Sequence, residues 1–417
     1  MNIRMLAIDA LDHILNKHRK ADDVLNHLMV EVIEEPRDRH LLHEMVYGVL
    51  RHYFSLEANF SRYLKQKPGE FARLSLFVGV YQVRYMRVPV HAAVSETVDA
   101  VKPRDPKASG MVNAVLRKVA DAELPSKMKP YQRAELPRWI YASWRDAFGV
   151  DVVRAISETN QKKPELSLAV FGDRDVWMAK FHAQFDVQFD VQFDKIDSQA
   201  VKGELSPHAV ILPSGISVTS LPGFEDGEFQ VMDQAAQKAV LTLQVKAGDR
   251  ILDICAAPGG KSALLARKYP KAEVIAVELS EKRIPRLQEN LERVKAGNVT
   301  VLQGDATALE VPDCSIDAIL LDAPCTASGV IRRHPDAKFL NDKETVARHS
   351  GLQKKMVSEA LRVLKPGGQL VYAVCSIHPE ENEQVVEGFA ELQSMQRIFP
   401  TEHHDGFFIA SLLKLKQ

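Results

Sequence analysis

Residues 249–262 read DRILDICAAPGGKS. An apolar run with the look of a buried strand gives way to small residues, which then open a helix. Gly259 and Gly260 let a ligand approach the backbone, and the helix N-terminus behind them favours a negative group. The turn is neither the Gly-x-Gly-x-x-Gly of dinucleotide binding nor the Gly-x-x-x-x-Gly-Lys-Ser/Thr that cradles phosphates. A nicotinamide dehydrogenase needs the first of these, so that class is set aside. Outward from this stretch come four more apolar runs: AEVIAVEL (272–279), NVTVLQGD (298–305), IDAILLDAP (316–324) and GGQLVYAVCS (367–376). Helical stretches at 260–268, 281–295 and 344–364 separate most of them. The alternation predicts an α/β domain over 246–417 on a mostly parallel, doubly wound sheet, with DGFFIASLLK (405–414) closing its edge. Such sheets bind ligands beyond the carboxyl ends of their strands.

Three acids fall at those ends. Glu278 finishes the second strand, where a carboxylate accepts ribose hydroxyls. Asp305 follows the third, placed for an adenine amino group, and Asp322 ends the fourth. So many negative charges would repel a pyrophosphate and attract a sulfonium. The pocket is therefore expected to hold S-adenosylmethionine.

Two of the four cysteines, Cys325 and Cys375, finish adjacent candidate strands on the same rim. The cysteines show no Cys-x-x-Cys and no metal-ligand spacing, so no structural metal is expected. Two thiols beside a sulfonium suit one reaction in particular. Carbon 5 of cytosine is too electron-poor to attack a methyl group. A thiolate adding to carbon 6 makes it an enamine-like nucleophile, and an acid such as Asp322 assists at ring nitrogen 3. The working thiol must ionise below the free value of ~8.5, and Lys261 is the candidate to help it. Sequence chemistry alone leaves open which thiol attacks. Cys255 is expected to meet the cofactor through its backbone, and Cys314 lies in a polar turn.

The front of the chain differs in character. Residues 1–140 carry 22 Lys and Arg against 17 Asp and Glu, although the whole chain has a net charge of −1. A basic front half suggests an anionic partner such as RNA. Val94, Val98 and Val101 make one helical stripe; Met111, Val112, Val115, Leu116 and Val119 make another. Three domains are expected: all-α over 1–137, a mixed α+β connecting segment over 138–245, and the α/β domain over 246–417. Within the connector, the repeat QFDVQFDVQFD (184–194) alternates at a period of two and reads as a strand. No apolar run is long enough to span a bilayer, and Asp9 and Asp12 interrupt the core that a signal peptide needs. The expected location is cytoplasmic, with no membrane partner.

DICAAPGGKS (253–262), LLDAPCTASGVIRRHPD (320–336) and VYAVCSIHPEENE (371–383) resemble the motifs of the RNA (cytosine-5)-methyltransferases of the Sun/NOL family. HAAVSETVDAVK (91–102), SGMVNAVLRKV (109–119) and DGFFIASLLK resemble its bacterial ribosomal branch, which carries a NusB-like amino-terminal domain. The resemblance covers nearly the whole chain. It implies a Rossmann-like methyltransferase domain behind a NusB-like RNA-binding domain, acting on 16S ribosomal RNA; a monomer is expected. It implies that Cys255, Ala256, Ala257, Pro258, Gly259, Gly260 and Lys261, with Glu278, Asp305 and Asp322, contact S-adenosylmethionine. It assigns the nucleophile to Cys375 and product release to Cys325. Arg332, Arg333 and His334, which follow the first thiol, read either as contacts for phosphate or a flipped nucleotide's backbone or as solvent-facing loop charges. The family's arginine and asparagine before the catalytic domain are replaced by Ala169 and Phe171, which puts the details of RNA docking in question. Transfer RNA as the target, or a non-catalytic RNA-binding assembly factor, are the alternatives.

Overall fold

The computed structural model describes residues 2–185 and 200–415. They form two compact units: Met1–Lys162 with Ile331–Asp342, and Lys163–Val330 with Lys343–Gln417. The helix pair Arg138–Phe148 and Val150–Asn160, placed by sequence in the connecting segment, belongs to the first unit. Among the described residues no helix is long and apolar enough to cross a membrane.

The first unit is helical among its described residues, as its apolar stripes predict. The helix Pro106–Asp121 starts where its sequence says it should. Asp105 accepts from the Ala108 N–H at 3.0 Å, and Pro106 takes the first turn, where no N–H is needed. Its stripe of Val112, Val115, Leu116 and Val119 is buried, together with Val94 and Val101 of the helix Val90–Val101. Each such side chain contributes roughly 1.5–3 kcal/mol by leaving water.

The second unit holds two sheets. The small antiparallel one has the order β2-β3-β1-β4, from β1 (Leu166–Val170), β2 (Val201–Lys202), β3 (Ala209–Leu212) and β4 (Phe229–Val231). Trp177, Phe181 and Phe185 of the helix Arg174–Phe185 cover one face of it. Thus Gln184 and Phe185, the start of the QFDV repeat, end a helix rather than begin a strand. The rest of the repeat lies outside the described residues. Ala169 is fully buried, in one apolar cluster with Met232, Ala235 and Leu243, and the Arg267 guanidinium lies over the Phe171 ring. Both departures from the family pattern are thus packing positions.

The large sheet comprises β5 (Arg250–Ile254), β6 (Glu273–Glu278), β7 (Val299–Gln303), β8 (Ile316–Asp322), β9 (Leu364–Val374), β10 (Glu391–Ile398) and β11 (Phe407–Leu413). Its order is β10-β11-β9-β8-β5-β6-β7, with β5 to β9 parallel and the last two antiparallel. One expectation is corrected here. The terminal strand does not close the edge, because β10 pairs outside it. The order turns back between β5 and β8, which opens a crevice at their carboxyl ends.

Candidate active site

The parallel register brings the expected residues to one rim. Ile254 of β5 pairs with Val277 of β6 and Leu321 of β8, Glu278 with Gln303, and Asp322 with Ala373. Cys255, Glu278, Asp322 and Cys375 therefore stand at or one step beyond neighbouring strand ends.

The loop 255–261 is fastened from several sides. Glu278, 4% exposed, accepts from the Ala257 N–H at 3.2 Å and the Ser280 N–H at 3.0 Å. Arg283 pairs with Glu278 and donates to the Ala257 carbonyl at 2.6 Å, while Asn290 donates to the Pro258 carbonyl at 2.8 Å. The Ala257–Pro258 peptide is cis. Gly259 sits at φ +101°, and a Cβ there would fall 2.8 Å from a Leu287 methyl. Only glycine suits the position. Gly260 and Lys261 open the helix Gly260–Lys268 directly behind it.

Asp253, which sequence reading passed over, is fully buried beneath this loop. Its Oδ2 accepts from Ser262 Oγ at 2.5 Å, while Oδ1 has no hydrogen-bond partner. Burial pushes its carboxyl up to about 7. An acid inside the apolar run was the available signal. An orphaned carboxylate oxygen, a close-approach glycine and acids on the rim fit a cationic nucleoside cofactor. Asp305 is exposed; the Thr307 N–H and hydroxyl bonds, each 2.8 Å, hold its carboxyl below the usual range. Burial pushes the Cys255 thiol up to about 12, helped by Asp322 and Glu278, so it stays a neutral thiol near neutral pH.

Lys261 Nζ lies 2.5 Å from Asp322 Oδ2. Burial works against the lysine's charge, but Asp322's charge and hydrogen bond outweigh it and hold the ammonium above its ordinary value. Cys325 Sγ lies 3.4 Å from Cys375 Sγ. That contact first, and then burial, push the Cys325 thiol well above its ordinary value, so Cys325 keeps its proton beside Cys375. Among the described residues no group of three or more His, Cys, Asp and Glu side chains is placed to hold a metal.

Arg332 is elsewhere. It is 1% exposed within the first unit, where its carbonyl accepts from Arg51 at 3.2 Å. His334 pairs there with Asp22 at 3.4 Å. Arg332 is thus a packed side chain, which corrects its reading as a phosphate contact, whereas Arg333 is half-buried and His334 exposed.

A model described as 16S rRNA methyltransferase RsmB/F matches residues 240–396, and a NusB family model matches residues 1–121. Ribosomal RNA small subunit methyltransferase B of Klebsiella pneumoniae is 35% identical over 99% of this chain and 98% of its own. This chain belongs to the RsmB/F family. Two solved structures share its fold. PH0851 superposes with a TM-score of 0.76 at 22% identity, over 99% of each chain. NSun6 from Pyrococcus horikoshii with SFG superposes at 0.58 and 21% identity, over 67% of this chain and 99% of its own. As an RsmB/F member the chain is an RNA methyltransferase, and S-adenosylmethionine is its methyl donor.

Proposed function

We propose that this RsmB/F member methylates carbon 5 of a 16S ribosomal RNA cytidine, the one numbered 967, through a covalent bond from Cys375 to carbon 6. The observation that carries this reading is the pair of sulfurs 3.4 Å apart at the ends of β8 and β9. Methylation of an amine, oxygen or carboxyl group would need no such thiols. The name of the Klebsiella relative, a ribosomal RNA small subunit methyltransferase, supports the small-subunit target. The proposed state is a cytoplasmic monomer.

S-Adenosylmethionine supplies an electrophilic methyl group carried on a sulfonium. The loop from Cys255 to Lys261, with Glu278, Asp305 and Asp322, would hold it, their carboxylates offsetting its positive charge. Cys375 adds to carbon 6, and the displaced electron pair reaches ring nitrogen 3, which takes a proton from the Lys261–Asp322 pair. Carbon 5 is then nucleophilic. Once it is methylated, a base takes the carbon-5 proton, nitrogen 3 returns its proton to the Lys261–Asp322 pair, and the restored ring expels Cys375. Cys325, which holds its proton beside that sulfur, returns one to it as it leaves.

Cys375→Ala should lower methyl transfer at least about a thousandfold and abolish the RNA adduct. Cys325→Ala should instead accumulate that adduct on a denaturing gel. The reverse pattern would exchange the two roles. Mass-spectrometric mapping of methylated cytidines, with and without the protein, tests the target. A site that depends on it only in transfer RNA would refute the ribosomal assignment.

A further inference from the structure

The residue after each catalytic sulfur points to the same buried carboxylate. Glu381 is fully buried. Its Oε1 accepts from the Thr326 N–H at 2.9 Å, and its Oε2 accepts from Thr326 Oγ1 and Ser376 Oγ, each at 2.5 Å. Gln353 Nε2 donates to Oε1 at 3.4 Å and to the Pro324 carbonyl at 2.9 Å. Tyr372 donates to the Glu381 carbonyl at 2.7 Å, tying that backbone to β9. Thr326 follows Cys325 and Ser376 follows Cys375, so one side chain grips both thiol loops at the next residue. The backbones close up beside it: the Gly329 N–H donates to the Cys375 carbonyl at 2.9 Å.

We infer that Glu381 is a positioning residue, which sets the distance between the Cys325 and Cys375 sulfurs and so the balance between adduct formation and release. Its importance rests on the thiol chemistry proposed above, but its placement does not. Nothing in the proposed mechanism uses Glu381 directly, and it touches neither sulfur in any hydrogen bond described. A carboxylate suits the task because it only accepts, and every group facing it is a donor. Charged acceptors hold such donors more firmly than neutral ones. Glu381→Gln keeps the shape and turns one acceptor into a donor aimed at donors.

The test uses the full-length protein. Diamide takes two electrons and two protons from a pair of thiols as they join, so the rate of Cys325–Cys375 disulfide formation reads sulfur placement without RNA. Glu381→Gln should keep its melting temperature within a few degrees and its S-adenosylmethionine affinity within about twofold. It should slow disulfide formation at least about tenfold and single-turnover methyl transfer by up to about a hundredfold, the scale of a small misplacement of reacting groups. An unchanged disulfide rate overturns the inference. So does a slowed rate matched by an equal loss of cofactor affinity, which would mark general disorder. Should Glu381→Gln fail to fold, Thr326→Val and Ser376→Ala each remove one grip. Both are expected to slow the disulfide about threefold, and normal rates in both overturn the inference. A wild type that forms the disulfide but no RNA adduct refutes the reaction proposed above and leaves the placement standing.

Discussion

Asp253 is a carboxylate that the fold keeps from water, with one oxygen on Ser262 and the other unpartnered. Its pKa rises on folding, from the ordinary 3.8 to about 7, because burial disfavours the charge. The sign follows from linkage. The folded state binds this proton more tightly than the unfolded state, so stability is highest when the group is protonated and falls as pH climbs through that interval. Asp253→Asn removes the dependence and retains an oxygen for Ser262. The variant should therefore melt at the wild-type temperature near pH 4. Near pH 8 it should be more stable by a few kcal/mol. Calorimetric melts of both proteins without cofactor, across that range, check it; a gap that narrows with rising pH would contradict the buried acid.

Among the elements, β5, β6, β8 and β9 were legible because both of their faces are largely buried, so each reads as an apolar run. β7 is a mostly exposed edge strand, legible only because it keeps Val299, Val301 and Leu302. β10 was not. As an edge strand it is mostly exposed, and Gln393, Ser394 and Gln396 lie among its apolar residues. The cofactor turn was legible from Pro258-Gly259-Gly260, but the side chains that hold it were not. Arg283 and Asn290 lie on elements that only the folded sheet brings near. Glu381 was illegible for the same reason: in HPEENE it looks solvated, and the groups it binds include Thr326, 55 positions away. At this turn Gly259→Ala puts a side chain into left-handed backbone and against Leu287. The strain is worth about 1–3 kcal/mol. Because the loop shifts to relieve it, affinity for S-adenosylmethionine should fall at least about tenfold by titration calorimetry, with the protein still folded. Wild-type affinity would mean that the close approach is dispensable.

At the scale of the molecule, the chain order and the packing order differ. Shortly after Cys325 the chain leaves the methyltransferase unit, and Ile331–Asp342 packs as part of the helical one. Sequence gave little warning, since Arg332 and Arg333 look like surface cations, yet Arg332 is almost fully buried. Lys338 anchors the segment. Its Nζ, almost entirely shielded, donates to the carbonyls of Glu135 at 2.8 Å and Arg51 at 3.1 Å. Burial pushes its pKa down and that of the Glu135 carboxyl up, while their mutual attraction opposes both shifts. Glu135 in turn accepts from the N–H groups of Phe54 and Ser55 at the start of the helix Tyr53–Ser61. Lys338→Ala leaves two buried carbonyls without their donor and removes the charge that attracts the Glu135 carboxylate, a loss of about 1–3 kcal/mol. Lys338→Met fills the space but leaves Glu135 uncompensated, and Lys338→Met with Glu135→Gln removes both charges. Hydrogen exchange over residues 36–61 should therefore quicken sharply in either single variant and recover part of its protection in the double one. Equal exchange in all three would mean that the pair does not hold this segment in place.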